Sequence, residues 1–272
     1  MAILHVPVDP IVRRPTLVRK VIEKLSLALI FTRMLLQLIV TIGEAAICPF
    51  CSPSLRMRLV SQNARGFCWA LGLEVRIHDL APPRTSPRAQ LVMSNHYMAI
   101  DYWVVARCFP VKCVTFAQVK SVPIFGFIAT RFGNLFVDNS RPNGVVEALP
   151  AITEALARGE SVMIFPQGRW SGVGEPLPFA ASLTQAAVDS GVEVQPIALR
   201  YSRKDGQASH AVAACFGRTL GDGIMLHARE GELIVDVTIL PPIATAGKNR
   251  KEITKAAETV INRHLAGETS GP

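Results

Sequence analysis

From Leu73 to Ala266 short apolar runs alternate with longer amphipathic stretches, and few folds accept that order. Runs near 90–94, 112–117, 134–138, 161–165, 193–201, 211–216 and 232–239 read as strands, and Leu73–His78 alternates as a further one. Segments near 54–72, 98–108, 123–132, 144–158, 178–190 and 248–266 read as helices. The Pro-rich stretch 81–88 reads as a loop. Such alternation predicts an α/β domain with a mainly parallel central sheet flanked by helices. In an open parallel sheet, loops at the carboxyl ends of the strands gather at one edge. Residues far apart in sequence then share one cleft.

The first third of the chain has another character. Residues 1–20, with Pro7, Pro10 and Pro15, read as an irregular basic arm. From Leu25 to Ile47 the chain is strongly apolar, yet Arg33, Gln37, Thr41 and Glu44 recur at helical spacing and form one polar stripe. No unbroken apolar run reaches the roughly 18 residues of a simple membrane span. Basic residues also stand on both sides: Arg13, Arg14, Arg19, Lys20 and Lys24 before, and Arg56, Arg58, Arg65 and Arg76 after. A plain crossing is therefore not expected. The pattern predicts a helix lying in the membrane interface, or dipping in and returning, with a buried core helix as the alternative. No clean cleavage site follows the apolar part, so an anchor is expected rather than a secretory signal. The expected division is 1–72, a basic arm with membrane-associating helices, and 73–272, an α/β domain.

Formal net charge is +8 over 272 residues. Placed beside an apolar segment, that charge suits an anionic membrane. Nucleic acid is not an expected partner, because the basic residues lack interleaved aromatics. The six cysteines are scattered and form no disulfide framework. Cys48 and Cys51 make a lone CxxC and read as small apolar residues at a helix end.

Several chemistries lack their signatures. The chain has no GxSxG elbow, no P-loop, no GxGxxG and no HExxH. Its six histidines form no metal-ligand cluster, so neither metal nor cofactor is expected. Three loops instead follow predicted strands. The first holds Asn95 and His96, with Asp101 five residues beyond the histidine. The second runs from Gly133 through Phe136 to Asn139 and Arg141, and the third from Phe165 and Pro166 through Gln167, Gly168, Arg169 and Trp170 to Ser171. A histidine with a nearby aspartate can serve as a base and its orienter. It needs no protein nucleophile if the substrate brings the hydroxyl.

These loops carry a resemblance. The chain resembles the membrane-bound glycerolipid acyltransferases of the lysophosphatidic-acid acyltransferase family, in four motifs ordered over residues 73–245. Asn95, His96 and Asp101 match the family's Asn-His-x4-Asp in full. Gly133 and Phe136 match Gly-x-x-Phe-x-x-Arg, but Asn139 fills the arginine slot and Arg141 lies two residues on. Phe165, Pro166, Gly168 and Ser171 match Phe-Pro-Glu-Gly-Thr-Arg-Ser, with Gln167 for the glutamate and the arginine displaced to Arg169. A short apolar motif around Pro196 is the fourth. The apolar, basic N-terminus is also similar to that family's membrane-binding helices.

The resemblance implies an enzyme at the cytoplasmic face of the inner membrane. The donor would be an acyl thioester, on acyl carrier protein or coenzyme A, used as co-substrate. The acceptor would be a lysolipid, 1-acylglycerol-3-phosphate first, giving phosphatidic acid. His96 would take the hydroxyl proton and Asp101 would orient the imidazole. Backbone N–H groups near Gly168 or at the start of the helix that holds Asp101 would receive the developing oxyanion. Asn139, Arg141, Gln167, Gly168, Arg169, Ser171 and Lys120 would bind the acceptor. Asn95, Gly133, Phe136, Phe165, Pro166 and Pro196 would shape the loops. Phe125, Phe127, Ile128 and Phe132 would border an acyl-chain tunnel or fill the core. A phosphate dianion wants a bidentate arginine clamp. With Asn139 in that slot, the alternative acceptor lacks a phosphomonoester, as in lyso-ornithine lipid. From another class, a non-catalytic lipid-binding protein is the competing reading.

Overall fold

The computed structural model describes residues 17–82, 88–141, 143–168, 177–207 and 233–267. It opens with helix α1 (Leu17–Ile47), a 3₁₀ turn at Cys48–Phe50 and α2 (Pro53–Ala70). Residues 17–20, expected in the irregular arm, are thus helical; Leu17, Arg19 and Lys20 are good helix formers placed beyond the last proline of the arm. Residues 1–16 lie outside the described residues. The chain continues through β1 (Glu74–Asp79), β2 (Gln90–Ser94), α3 (Asp101–Cys108) and β3 (Val111–Phe116). A 3₁₀ turn at Ala117–Ser121 precedes α4 (Phe125–Arg131) and β4 (Leu135–Val137). There follow α5 (Gly144–Glu147), α6 (Leu149–Ala157), β5 (Ser161–Ile164) and α7 (Gln185–Ser190). The last elements are β6 (Glu193–Arg203), β7 (Leu233–Ile239) and α8 (Arg250–Ala266).

Two expected helices are shorter. The segment at 144–158 parts at Ala148, where α6 starts afresh with Pro150 in its first turn. Of 178–190 only Gln185–Ser190 is α-helical, because the chain before it delivers Phe179 into a small core with Ala198, Leu240 and Ile261. The strand expected at 211–216 falls outside the described residues.

Among the described residues the sheet has seven strands in the order β1-β7-β6-β2-β5-β3-β4. Five of them, β6, β2, β5, β3 and β4, run parallel. β7 is antiparallel to β6 and parallel to β1, so that outer pair opposes the rest. β2 lies at the centre and is buried at every position, as its unbroken apolar run implies. β1 is an edge strand and is mostly exposed despite its alternating sequence. On one face of the sheet Val92, Met163, Ile197 and Leu199 meet Val60, Ala64 and Cys68 of α2 and Val104 and Val105 of α3. On the other, Leu91, Met93, Val162 and Ile164 meet Ile152 and Leu156 of α6, Ala187 of α7 and Ile253 of α8. The result is a helix–sheet–helix sandwich, and α2 shares its core with the sheet.

The α1–α2 hairpin is polar inside and apolar outside. Thr41 and Gln37 of the stripe are buried against α2. There Asn63 donates to Thr41 Oγ1 at 2.7 Å and to Glu44 Oε2 at 2.6 Å. Arg33 sits 4.9 Å over the Trp69 ring. Gly66 lets the helices approach this closely, since a Cβ there would meet Gln37 Oε1 at 2.2 Å. The opposite face of α1 exposes Leu25, Leu29, Phe31, Leu35, Leu36, Ile39 and Val40, each at least half exposed. A buried core helix is therefore overturned. Residues Lys24–Phe50 are long and apolar enough to cross a membrane by length and composition alone.

Candidate active site

His96 lies two residues past the end of β2, at the carboxyl edge of the parallel strands. Residues 97–100 form a turn, and Asp101 opens α3 with its side chain folded back across it. Asp101 is fully buried, and its Oδ2 accepts from His96 Nδ1 at 2.8 Å, Tyr97 N at 2.6 Å and Met98 N at 2.9 Å. The x4 spacing thus has a mechanical reason. Four residues are the length of chain that returns the carboxylate to both the ring and the loop amides. With Nδ1–H donating to the carboxylate, Nε2 is the basic nitrogen.

The other loops support this pair. Asn95 is buried and mimics a peptide group: its Nδ2 donates to Leu199 O at 2.9 Å, and its Oδ1 accepts from Leu199 N at 2.8 Å. That pins the end of β2 to β6. Gln167 Oε1 accepts from His96 N at 2.6 Å, so the side chain in the usual glutamate slot braces the histidine backbone. The Phe165 ring stacks on the imidazole with centroids 3.8 Å apart and planes 13° from parallel. Pro166 O accepts from Ala180 N at 2.8 Å, closing the third loop. Pro196 pairs in register with Met93 and lies one residue before the β6–β7 ladder begins, where its missing N–H costs no ladder bond.

Among the described residues, three of the backbone donors in the two regions expected to receive an oxyanion are engaged within the fold. Gly168 N donates to Phe165 O at 3.1 Å, and Tyr97 N and Met98 N donate to Asp101. Gln167 offers another donor. With Oε1 on the His96 amide, the rest of its side-chain amide is an NH₂ group, which glutamate would lack.

A second group gathers at the ends of β3 and β4, with β5 between it and β2. Gly133, at φ +81°, terminates α4: Asn134 N donates back to Ala129 O, and only the left-handed conformation allows that closure. Lys120 Nζ lies 4.5 Å over the Phe136 ring, and Gln118 Nε2 donates to Asn139 Oδ1 at 3.0 Å. Arg141 is exposed but engaged with two carboxylates, Asp138 at 2.6 Å and Glu147 at 2.8 Å. Hydrogen bonds from Ser140 and the Arg141 guanidinium hold the Asp138 carboxyl down at about 2. Ile128 and Phe132 belong to the core, whereas Phe125 and Phe127 face outward at 41% exposure. Arg169 and Ser171 lie outside the described residues.

One residue at the site carries no motif. Tyr201 of β6 is buried and donates its hydroxyl to Asp101 Oδ1 at 2.5 Å across 100 residues of sequence. Burial, then the neighbouring carboxylate, pushes its pKa well up, so the phenol stays protonated as a donor. The only hint in the sequence is general: a tyrosine within an apolar strand needs a partner for its hydroxyl.

A family model described as Acyltransferase matches residues 74–200, from β1 into β6. The lyso-ornithine lipid O-acyltransferase of Pseudomonas aeruginosa is 30% identical over 227 residues, covering 80% of this chain and 82% of that protein. The chain belongs to the lysophosphatidic-acid acyltransferase family. Another member, the 1-acyl-sn-glycerol-3-phosphate acyltransferase of Neisseria meningitidis serogroup B, is 31% identical over 155 residues. That match covers 57% of this chain, and the chain spans 60% of the meningococcal protein's length. In fold, the chain is similar to the crystal structure of the 1-acyl-sn-glycerophosphate acyltransferase PlsC from Thermotoga maritima. The TM-score is 0.68 at 17% identity, over 93% of this chain and 99% of that one.

For a member of this family, Tyr201→Phe isolates the bond from β6. It strips Asp101 Oδ1 of its hydroxyl donor and leaves a buried carboxylate oxygen short of a partner. Stability is expected to fall by about 1–3 kcal/mol in chemical denaturation. The rate of acyl transfer at saturating acceptor is expected to fall several-fold with little change in KM. Unchanged stability and rate would remove Tyr201 from the site.

Proposed function

We propose that the protein moves a fatty acyl group from a thioester, on acyl carrier protein or coenzyme A, to the hydroxyl of a lysolipid at the cytoplasmic face of the inner membrane. The observation that carries this reading is the His96–Asp101 pair at the sheet's carboxyl edge, with its carboxylate buried and its ring nitrogen engaged at 2.8 Å. His96 Nε2 takes the acceptor's hydroxyl proton as that oxygen attacks the thioester carbonyl. The tetrahedral intermediate collapses with loss of the thiolate, and the imidazolium returns its proton to sulfur. The ester forms with no acyl-enzyme, because the lipid hydroxyl stands where a hydrolase would use serine. Asp101 stabilises the transient imidazolium. The outward apolar face of α1 supports action at a membrane.

The acceptor has two readings. A phosphomonoester, as in 1-acylglycerol-3-phosphate, calls for a guanidinium clamp beside the cleft. Asn139 offers none, and a phosphate reaching Arg141 must displace both Asp138 and Glu147. That arrangement favours an acceptor without a phosphomonoester, of the lyso-ornithine lipid class. The longer match to the Pseudomonas relative supports the same choice. Transfer from one acyl thioester to lyso-ornithine lipid and to lysophosphatidic acid, compared in the same vesicles, tests it. Lyso-ornithine lipid is expected to be the better acceptor. Arg141→Ala is expected to change that transfer by less than about threefold, as for an exposed ion pair. A drop of about a hundredfold, the scale of a lost bidentate phosphate contact, would restore the phosphate reading.

A further inference from the structure

The turn into α4 presents an apolar surface that neither the sheet nor the catalytic pair uses. Val122, Ile124, Phe125 and Phe127 are each 41–46% exposed within six residues. Ile124 has φ +66°, a conformation a β-branched residue avoids, and it is the non-glycine residue with positive φ among those described. Such strain costs on the order of 1–3 kcal/mol and persists only where its surroundings or its use maintain it. Here it holds the isoleucine side chain 46% exposed.

Three observations say what covers this surface. First, α4 packs against α1, which places this segment beside the helix whose outer face is apolar. Second, the segment leaves β3, which runs parallel to β5 and through it to β2. It therefore lies at the same edge of the sheet as His96. Third, residues 113–137 contain Lys120 and Arg131 and no acidic residue. Lys120 and Arg131 sit over aromatic rings beside the patch, Arg131 at 5.3 Å from the Phe127 centroid. An apolar centre with a basic rim is complementary to an anionic lipid surface.

We propose that residues 122–127 form a second bilayer-inserting surface, which with α1 presses the catalytic edge of the sheet against an anionic membrane. The lysolipid hydroxyl then reaches His96 while its acyl chain stays in the bilayer. The proposal rests on the membrane reading of α1, and its test separates the two.

Full-length Phe127→Trp and Phe31→Trp proteins are mixed with phosphatidylethanolamine–phosphatidylglycerol vesicles, with and without brominated acyl chains. Emission is read against the background of Trp69, Trp103 and Trp170. Both probes are expected to lose most of their added emission on the brominated vesicles. Val122→Trp, from the other end of the patch, is expected to do the same and guards against local misfolding of one variant. Quenching of Phe31→Trp without quenching of either patch probe would overturn the proposal and leave α1 as the anchor. Absence of quenching at all three probes overturns both. Patch emission that shifts with protein concentration and not with vesicles assigns the surface to a second copy of the chain, which also overturns it.

Discussion

Replacing His96 with alanine is expected to lower acyl transfer at least about a thousandfold, within the range for removal of a general base positioned by a carboxylate. The expectation is specific because of what the substitution leaves behind. Asp101 keeps its donors from Tyr97 N, Met98 N and the Tyr201 hydroxyl, so the buried carboxylate stays satisfied. Gln167 still accepts the backbone amide of residue 96, and Asn95 still pins β2 to β6. The main structural loss is the ring stacked on Phe165, worth about 0.5–1.5 kcal/mol beyond its buried area. Folding and membrane partition, which draw on α1 and the sheet, are expected to persist. The measurement is thiol release from an acyl thioester with lysolipid present, alongside thermal unfolding and vesicle flotation. A folded, membrane-bound variant with normal turnover would place the base elsewhere. A non-catalytic lipid-binding protein would show no turnover even with His96 in place.

What the sequence made legible follows from what single-chain patterns encode. Burial on both faces leaves an unbroken apolar run, and Gln90–Ser94 is the central strand. Return of a side chain onto its own loop leaves a fixed spacing, and Asn95, His96 and Asp101 could be placed from it. Strand direction leaves no such mark, so β7 opposing β6 could not be read from Leu233–Ile239. Nor does a polar stripe say which side faces water. Arg33, Gln37, Thr41 and Glu44 turn toward α2 because the other surface of α1 is apolar, the reverse of a helix on an aqueous surface. Partners distant in sequence are equally silent. Arg141 looked available as a clamp, yet Asp138 and Glu147 hold it, and Tyr201 reaches Asp101 from a strand that carried only a structural motif.

Asp101→Asn is expected to cost about a hundredfold in transfer rate, less than His96→Ala, for a reason set by the loop amides. An asparagine here has one oxygen and one NH₂ group to place. Tyr97 N and Met98 N both point at the Oδ2 position, at 2.6 and 2.9 Å, and would repel an NH₂ there. The amide oxygen is therefore forced into that position, where it can still accept from His96 Nδ1. The histidine keeps its tautomer, and Nε2 remains the base. What disappears is the negative charge that stabilises the imidazolium in the transition state. A hundredfold corresponds to about 2.7 kcal/mol, within the reach of a charge pair at this separation in a partly buried site. The NH₂ group then faces Tyr201, whose hydroxyl must turn from donor to acceptor. Combining Asp101→Asn with Tyr201→Phe removes that acceptor; because an unpaired amide costs less than an unpaired carboxylate, the double change is expected to lower stability by no more than the sum of the single changes. If Asp101→Asn alone matched or exceeded the loss in His96→Ala, the carboxylate would have to do more than orient and stabilise the ring. Kinetics of the two single variants in the same vesicles, with unfolding measured on all three, decide the point.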